Sequence, residues 1–151
     1  MNIEIHEIGY IENSIDKQSD ENWGNIKSIV KISKDFIGGL SGLENFSHAI
    51  IITYLHEAQF IKEIHLERHP QNRHDMPLVG IFSQRAKDRP NSIGITAVRI
   101  LEVFEDSLIV EGLDAINGTP VLDIKPYYPD YDRIDRVVIP EWVNRLMEHY
   151  F

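Results

Sequence analysis

Three cations surround a single acid in the segment Gly80–Gly94, which reads GIFSQRAKDRPNSIG. Arg85, Lys87 and Arg89 are the cations, and Asp88 is the acid. A proline stiffens the backbone of this segment, so its side chains would be presented from a rigid loop, where sites are commonly found. Positive side chains of this kind bind carboxylate and phosphate groups, so the segment is a candidate anion site.

A second polar segment, Asn117–Asp132, reads NGTPVLDIKPYYPDYD and also combines charges with prolines. Asp123 and Lys125 are two residues apart, which places them on the same face of an extended strand. Pro126 then ends the regular pairing of that strand. We expect this segment and Gly80–Gly94 to converge at one mouth of a barrel and to form one site.

A purely structural role for these charges is the alternative. In that case Arg85 and Arg89 would pair with Asp88, Lys125 would pair with Asp123, and the Asn91 side chain would close a turn by a hydrogen bond. Residue types and spacing leave both interpretations open.

Histidines are the other candidate ligands. His65, His69 and His74 are spaced by four and five residues, but Pro70 breaks any helix that would align them, and no carboxylate or cysteine completes a known pattern. We therefore predict surface histidines and no metal. His48 lies at the start of an apolar strand and is interpreted as a rim residue.

Several classes of chemistry lack their motifs. The sequence contains no cysteine, which excludes disulfides, thiolate nucleophiles and cysteine-ligated zinc. It contains no G-x-G-x-x-G, no phosphate-binding loop of the G-x-x-x-x-G-K-[ST] type and no G-x-S-x-G nucleophile elbow. A Rossmann cofactor site and covalent catalysis are therefore not predicted.

The charge of the chain is distributed unevenly. The net charge is -9, which argues against a general polyanion binder. The stretch from Lys62 to Arg99, however, contains seven basic and four acidic residues, so the positive charge is concentrated around the first polar segment.

The elements that must position these residues are mostly strands. Apolar and β-branched residues predict strands around Ile3–Tyr10, Ile26–Ile32, Leu78–Gln84, Ile93–Phe104 and Ser107–Glu111. The continuous run Ala49–Thr53 predicts a strand buried on both faces. Asn117-Gly118 predicts a turn. An apolar stripe at helical spacing after Pro140 predicts a C-terminal helix with that proline at its first position. The predicted fold is mainly β, a single compact β-barrel over residues 1–151 with a C-terminal helix and long connecting loops.

The N-terminus alternates apolar and polar residues and is unlike a signal peptide. No apolar run approaches the roughly 20 residues needed to cross a bilayer, so no membrane is predicted and a cytoplasmic protein is expected.

Three blocks of the sequence resemble the tRNA methyltransferase O family. They read GLENFSHAIIITYLH, VGIFSQRAKDRPNSIGIT and NGTPVLDIKPYYPDYD, and together they span about Gly42 to Asp132. The second is similar to the family signature G-V-F-[AS]-x-R-[SA]-x-x-R-P-N-x-I-G, and the third to D-G-T-P-V-[LV]-D-I-K-P-Y-x-P. The chain departs from these patterns at Ala86-Lys87, Ser92 and Asn117.

The resemblance implies an S-adenosylmethionine-dependent methyltransferase with a β-barrel, acting on N6 of threonylcarbamoyladenosine beside the anticodon of tRNA. It also implies a homodimer with the site near the subunit interface. The implied cofactor-binding residues are Phe82, Ser83, Arg85, Arg89, Pro90, Asn91, Gly94, Leu122, Asp123, Lys125 and Tyr127, with Pro126 beside them.

The implied catalytic residues are Asp123, Arg89 and Asn91. Asp123 is the candidate proton acceptor, and an arginine fork would hold the carboxylate of the cofactor. Tyr127 would stack on a base or an adenine. Two alternatives remain open: a methyltransferase acting on a small molecule or another nucleic acid, and a non-catalytic S-adenosylmethionine-binding module.

Overall fold

Strands and short helices alternate with long connections in the computed structural model, which describes residues 2–151, so Met1 of the predicted domain lies outside it. The strands are β1 (Gly9–Glu12), β2 (Lys27–Ile32), β3 (His48–Tyr54), β4 (Glu67–Arg68), β5 (Val79–Gly80), β6 (Ile93–Val103), β7 (Ser107–Glu111) and β8 (Pro120–Pro126). The α-helices are α1 (Lys62–His65), α2 (Pro129–Asp132) and α3 (Glu141–Met147). Single 3-10 segments occupy Lys34–Leu40, Leu43–Asn45, Pro70–Asn72 and Ile81–Ser83.

Six of the strands close into an antiparallel barrel in the order β1-β2-β7-β6-β3-β8, whereas β4 and β5 form a separate two-stranded sheet. Closure leaves the barrel without a free edge along most of its length, which satisfies the backbone groups of short strands. The prediction of a mainly β barrel followed by a C-terminal helix is confirmed.

The core of the barrel consists of the inward-facing residues of each strand, because side chains alternate between the two faces. On β3, Ala49, Ile51 and Thr53 are buried while Ile50 and Ile52 are only half-buried. The prediction that β3 is buried on both faces is therefore wrong: its second face forms the outer wall. The remaining fully buried barrel residues include Ile11, Val30, Val98, Leu108, Val110 and Val121.

Two predicted strands are shorter in the structure. The first strand begins at Gly9 rather than at Ile3, because the residues before Gly9 have no neighbouring strand to pair with. Ile3 and Ile5 are accordingly 80% and 59% exposed. The predicted strand Leu78–Gln84 forms only as β5, since a 3-10 turn starts at Ile81.

The connection between β3 and β6 is the longest in the barrel. It contains most of the segment Gly80–Gly94, which we call the cationic segment. We call residues 55–80 of this connection the excursion; it contains α1, β4 and β5. The first residue of the excursion is hydrogen-bonded to the end of the cationic segment: the Leu55 amide donates to the Ser92 carbonyl at 2.8 Å. The cationic segment therefore lies between the excursion and the start of β6.

The C-terminal helix begins at Glu141, and Pro140 is its N-cap rather than its first residue, a shift of one position from the prediction. The chain end is tied to the loop before β2, because the amides of Asn22 and Trp23 donate to the His149 and Tyr150 carbonyls at 2.8 Å each. No helix in the described part of the chain has the length and apolar character that a membrane span requires.

Candidate active site

Strand register brings the two polar segments together on the outer wall of the barrel. Ile52 of β3 is paired with Ile95 of β6 on one side and with Asp123 of β8 on the other. Since neighbouring strands lie about 4.8 Å apart, the backbones of Ile95 and Asp123 are separated by roughly 10 Å. All three side chains point outward: Ile51, Thr53 and Thr96, which alternate with Ile52 and Ile95, are buried, and Asp123 is opposite Ile52 on β8. Asp123 therefore shares one wall with the first residues after the cationic segment.

Arg85 lies beside β6, on the side of that strand away from β3. Its Nη2 donates to the carbonyl oxygen of Ile95, and the residue is otherwise exposed. Arg89 is half-buried, and its Nη1 donates to the Gln84 carbonyl at 3.1 Å. Within residues 2–151 neither guanidinium lies within 4.0 Å of a carboxylate. The structural alternative, in which these arginines pair with Asp88, does not hold, because Asp88 faces the excursion instead.

Asp123 and Lys125 lie on the same face, as their spacing predicted, and they form the ion pair of the structural alternative. The Lys125 Nζ is 2.6 Å from Oδ2 of Asp123, and Oδ1 of Asp123 accepts the backbone amide of Ile124 at 2.9 Å. The hydrogen bond to Asp123 raises the pKa of Lys125 above its ordinary value. Both oxygens of Asp123 therefore have donors, and the carboxylate is held on the outer wall.

The predicted convergence at one mouth holds for only part of the second polar segment. Its first turn shares an end of the barrel with the cationic segment, because Val121 pairs with Thr53 near the end of β3. Tyr127 lies at the opposite end, where its amide donates to the His48 carbonyl at 3.1 Å. The six-residue step from His48 to Tyr54 spans about 20 Å, so Tyr127 and the cationic segment face opposite ends of the wall.

The other predicted residues of the cationic segment are mostly exposed. Phe82 is 82% exposed, and Ser83, Pro90 and Asn91 are also exposed. The Asn91 side chain makes no hydrogen bond to any described residue; the turn is closed by Ser92, whose amide donates to the Arg89 carbonyl at 3.2 Å. Leu122 is half-buried at the irregularity of pairing between β3 and β8.

Gly94 faces the barrel interior. An added Cβ at this position would lie 2.5 Å from Oγ1 of Thr53 and 3.1 Å from Cδ2 of Leu55. Thr53 is directly opposite Gly94 in the strand pair and is buried. A glycine is therefore required here by close packing inside the protein itself.

The structure adds a polar cluster that spacing did not predict. Asp114 accepts a hydrogen bond from the Thr96 hydroxyl on one oxygen and from the Tyr150 hydroxyl, at 2.6 Å, on the other. Burial, and then the charge of Asp114, raise the pKa of Tyr150 well above its ordinary value, while the charge of Arg85 opposes the shift. The cluster thus lies within electrostatic reach of Arg85. Its members come from a strand, a loop and the chain end, so no local pattern could have indicated it.

The histidines have separate partners. Nδ1 of His65 accepts the Ile61 amide at 2.9 Å, and Nδ1 of His69 is 2.7 Å from the Met76 carbonyl. Across the described residues, no group of three histidine, aspartate or glutamate side chains is placed to hold a metal ion.

The family model of the tRNA-methyltransferase O N-terminal domain matches residues 12–133, which contain β2 to β8 and every predicted site residue. The chain belongs to the tRNA methyltransferase O family. The resemblance based on the three sequence blocks is confirmed. Tyr150 lies outside the matched region.

Relatives within the tRNA methyltransferase O family differ in length and in name. A probable S-adenosyl-L-methionine-binding protein of Methanothermobacter thermautotrophicus is 36% identical over 89% of this chain and 96% of its own length. A probable S-adenosyl-L-methionine-binding protein of Pyrococcus abyssi is 39% identical over 80% of this chain, but the match covers 62% of that protein. The human tRNA (adenine(37)-N6)-methyltransferase is 39% identical over 67% of this chain and 22% of its own length.

A solved structure of TrmO from Pseudomonas aeruginosa has the same barrel. It superposes with a TM-score of 0.76 at 27% identity, over 94% of this chain and 62% of that one. The chain thus spans less than two thirds of several of its relatives.

Proposed function

We propose that this chain binds S-adenosylmethionine and transfers its methyl group to N6 of threonylcarbamoyladenosine beside the anticodon of tRNA. The observation that carries the proposal is the register that places Ile95 and Asp123 on either side of Ile52, with Arg85 held at the Ile95 carbonyl. Membership of the tRNA methyltransferase O family and the names of the relatives support it.

The residues on the outer wall suit the polarity of this cofactor. Arg85 and Arg89 have no carboxylate partner among residues 2–151, so their positive charge is available to the methionine carboxylate. Asp123 offers acceptors to amino or ribose hydroxyl groups, and Ile95, which is 50% exposed, offers apolar contact. The full proposed set is Phe82, Ser83, Arg85, Arg89, Pro90, Asn91, Gly94, Leu122, Asp123, Lys125, Pro126 and Tyr127. Gly94 faces the interior and Tyr127 lies at the far end of the wall, so these two rest on the family resemblance alone.

Bound S-adenosylmethionine supplies an activated methyl group on a sulfonium, so the main task of the protein is to orient the acceptor nitrogen. That nitrogen must also lose a proton, and Asp123 is the proposed acceptor. Because Oδ2 of Asp123 contacts Lys125 at 2.6 Å and Oδ1 accepts the Ile124 amide, Lys125 must first release the carboxylate. A base of this kind is typically worth ~10² to 10⁴-fold in rate. Arg89 and Asn91 are proposed to hold the reacting groups beside it.

The cationic segment is the proposed contact for tRNA. The net charge of -9 would repel a polyanion, but Arg85 and Arg89 lie on one loop free of carboxylate partners within the described chain. The guanidinium that does not hold the methionine carboxylate is the one proposed to contact a phosphate, and this contact would offset the repulsion locally. Binding should therefore weaken steeply as salt is raised.

The proposal includes a homodimer with the site near its interface. Tyr54, Ile93 and Ile95 are 47%, 40% and 50% exposed and lie together on the wall, an apolar surface that a second copy would cover. Light scattering of the purified protein is expected to give twice the mass of the chain, and Ile93→Lys is expected to give the monomer. A monomeric wild type would remove the dimer from the proposal.

Calorimetry with S-adenosylmethionine tests the binding part. Arg89→Ala and Asp123→Ala are expected to abolish binding or transfer while circular dichroism remains that of the wild type. Arg133→Ala is a matched control, because Arg133 pairs with Asp135 at 2.9 Å, is 68% exposed and is not among the proposed site residues. Wild-type affinity in either site variant would remove that residue from the site.

Labelled S-adenosylmethionine and bulk tRNA test the acceptor. Transfer to normal tRNA and none to tRNA from a strain lacking threonylcarbamoyl modification is the expected result. Equal transfer to both would show that the acceptor is different. Binding without transfer to any tRNA would favour a small-molecule acceptor or a non-catalytic module, the role that the names of the archaeal relatives suggest.

A further inference from the structure

Asp88 has all its observed contacts outside the cationic segment to which it belongs. Its Oδ1 accepts the backbone amide of Gln59 at 3.0 Å, and its Oδ2 lies 3.6 Å from Nη1 of Arg68 and 4.0 Å from Nε2 of His65. The Asp88 side chain is 16% exposed and that of Arg68 is 15% exposed. The Asp88 carboxylate therefore contacts only the excursion, and Arg85 and Arg89 of its own loop have no carboxylate partner within residues 2–151.

Gln84 makes a second attachment at the other side of Arg85. It is 6% exposed, and its Nε2 donates to the carbonyls of Arg68 at 3.0 Å and Val79 at 2.9 Å. Arg68 thus contacts the cationic loop twice: its carbonyl binds Gln84 and its guanidinium faces Asp88. Arg85 lies between these two attachment points, and Arg89 directly follows the second.

From this arrangement we infer that Asp88 is a positioning residue for the proposed site: it holds the loop 84–92 against the excursion so that Arg85 and Arg89 are presented in one arrangement. The inference rests on the proposed function for its ligand.

The expected consequence follows from the population of the binding-competent loop. Without the Asp88 charge, the loop loses its ionic contact with Arg68 and His65 and keeps only hydrogen bonds, those of Gln84 and Ser92 and the side-chain contacts of Arg85 with Ile95 and of Lys87 with Gln18, so several arrangements of residues 85–91 compete. If the competent arrangement falls to about a tenth of the population, the dissociation constant for the ligand rises about tenfold. The rate constant of bound complexes should change little, since the competent arrangement itself is unaltered.

Asp88→Asn is the informative variant, because an asparagine still offers an oxygen to the Gln59 amide but removes the charge that faces Arg68 and His65. Asp75→Asn is the matched control. Asp75 lies on the same excursion and pairs with Arg73 at 2.7 Å, but its side chain is 55% exposed and touches no residue of the loop.

Two measurements are made on each variant in the full chain. The first is amide hydrogen exchange of Arg89 and Ser92 without ligand, because these amides donate to the Lys87 and Arg89 carbonyls; we expect acceleration of about tenfold in Asp88→Asn and none in Asp75→Asn. The second is the calorimetric dissociation constant for S-adenosylmethionine, which is expected to rise about tenfold in Asp88→Asn. A methyl-transfer assay of the same variant is expected to give an unchanged kcat.

Unchanged exchange in the loop overturns the inference, as does accelerated exchange with an unchanged dissociation constant. A lower melting temperature with wild-type affinity shows that Asp88 serves the fold alone and also overturns it. If the wild type does not bind S-adenosylmethionine, the proposed function fails and the ligand half of the inference fails with it. The exchange rates still decide, independently, whether Asp88 orders the loop. Should Asp88→Asn fold poorly, Arg68→Met, which removes the facing cation, is expected to produce the same acceleration and the same loss of affinity.

Discussion

Gly94→Ala is expected to destabilise the protein through a single, local clash. The new Cβ would lie 2.5 Å from Oγ1 of Thr53, a distance that real Cβ contacts do not adopt, and Thr53 is 3% exposed within a strand pair that cannot move independently. Cδ2 of Leu55, at 3.1 Å, is the end of a flexible side chain and can shift. The unavoidable contact is therefore the one with Thr53.

The size of the effect follows from two opposing terms. Overpacking a rigid core site costs about 1–3 kcal/mol, and replacing glycine within a strand returns about 0.5–1 kcal/mol of conformational entropy. The midpoints of these two ranges give a net loss of about 1 kcal/mol, or a fall in melting temperature of roughly 2–4 °C for a chain of this size.

Urea denaturation of four variants provides the assay. Gly94→Ala should lower the midpoint, Thr53→Ala should remove the obstructing oxygen, and the double variant should show a favourable coupling of about 1 kcal/mol or more. Gly38→Ala is the control, because no atom lies within 4 Å of its added Cβ. Wild-type stability in Gly94→Ala, or absence of coupling with Thr53→Ala, would refute the packing explanation. Restored stability without restored S-adenosylmethionine binding would show that Gly94 also touches the ligand.

Two further predictions concern the end of the chain. Tyr150→Phe removes a charge-assisted hydrogen bond to Asp114 and should cost about 1.5–3 kcal/mol near neutral pH. Because the folded pKa of Tyr150 is raised above the ordinary value of 10.0, its stabilisation is complete below that pH and declines above it. Wild type should therefore lose up to about 1.4 kcal/mol per pH unit from this group above pH ~10, and the difference from Tyr150→Phe should shrink. Urea midpoints on both sides of that pH measure this, with the 86% exposed Tyr131→Phe as control; a constant difference would contradict the assignment. Gly24→Ala would place a Cβ 2.7 Å from the carbonyl carbon of Phe151, so amide exchange at Asn22 and Trp23 should accelerate, unlike in Gly39→Ala, whose added Cβ has no neighbour within 4 Å. Unchanged exchange would show that the chain end is not held by this contact.

The positions of strands could be predicted where they depended on the local alternation of apolar and polar residues. Ser107–Glu111 was predicted with the bounds that the structure has, and Ile93–Phe104 was one residue too long. The strand predicted from Ile3 failed because an apolar alternation without a neighbouring strand has no hydrogen-bonding partner. The prediction for Leu78–Gln84 failed because Gln84 turns inward to bind the carbonyls of Arg68 and Val79.

The sequence by itself determined the family, the barrel class and the shared face of Asp123 and Lys125, because motifs and two-residue alternation are properties of adjacent residues. The tertiary structure alone decided which charges meet: Asp88 with Arg68 rather than with Arg85 or Arg89, and Asp114 with Tyr150, 36 residues away. It also decided that Asp123 and Ile95 share a wall whereas Tyr127 lies at its far end. These outcomes depend on the register at which the closing barrel aligns strands far apart in the chain, and no short stretch of sequence encodes that register.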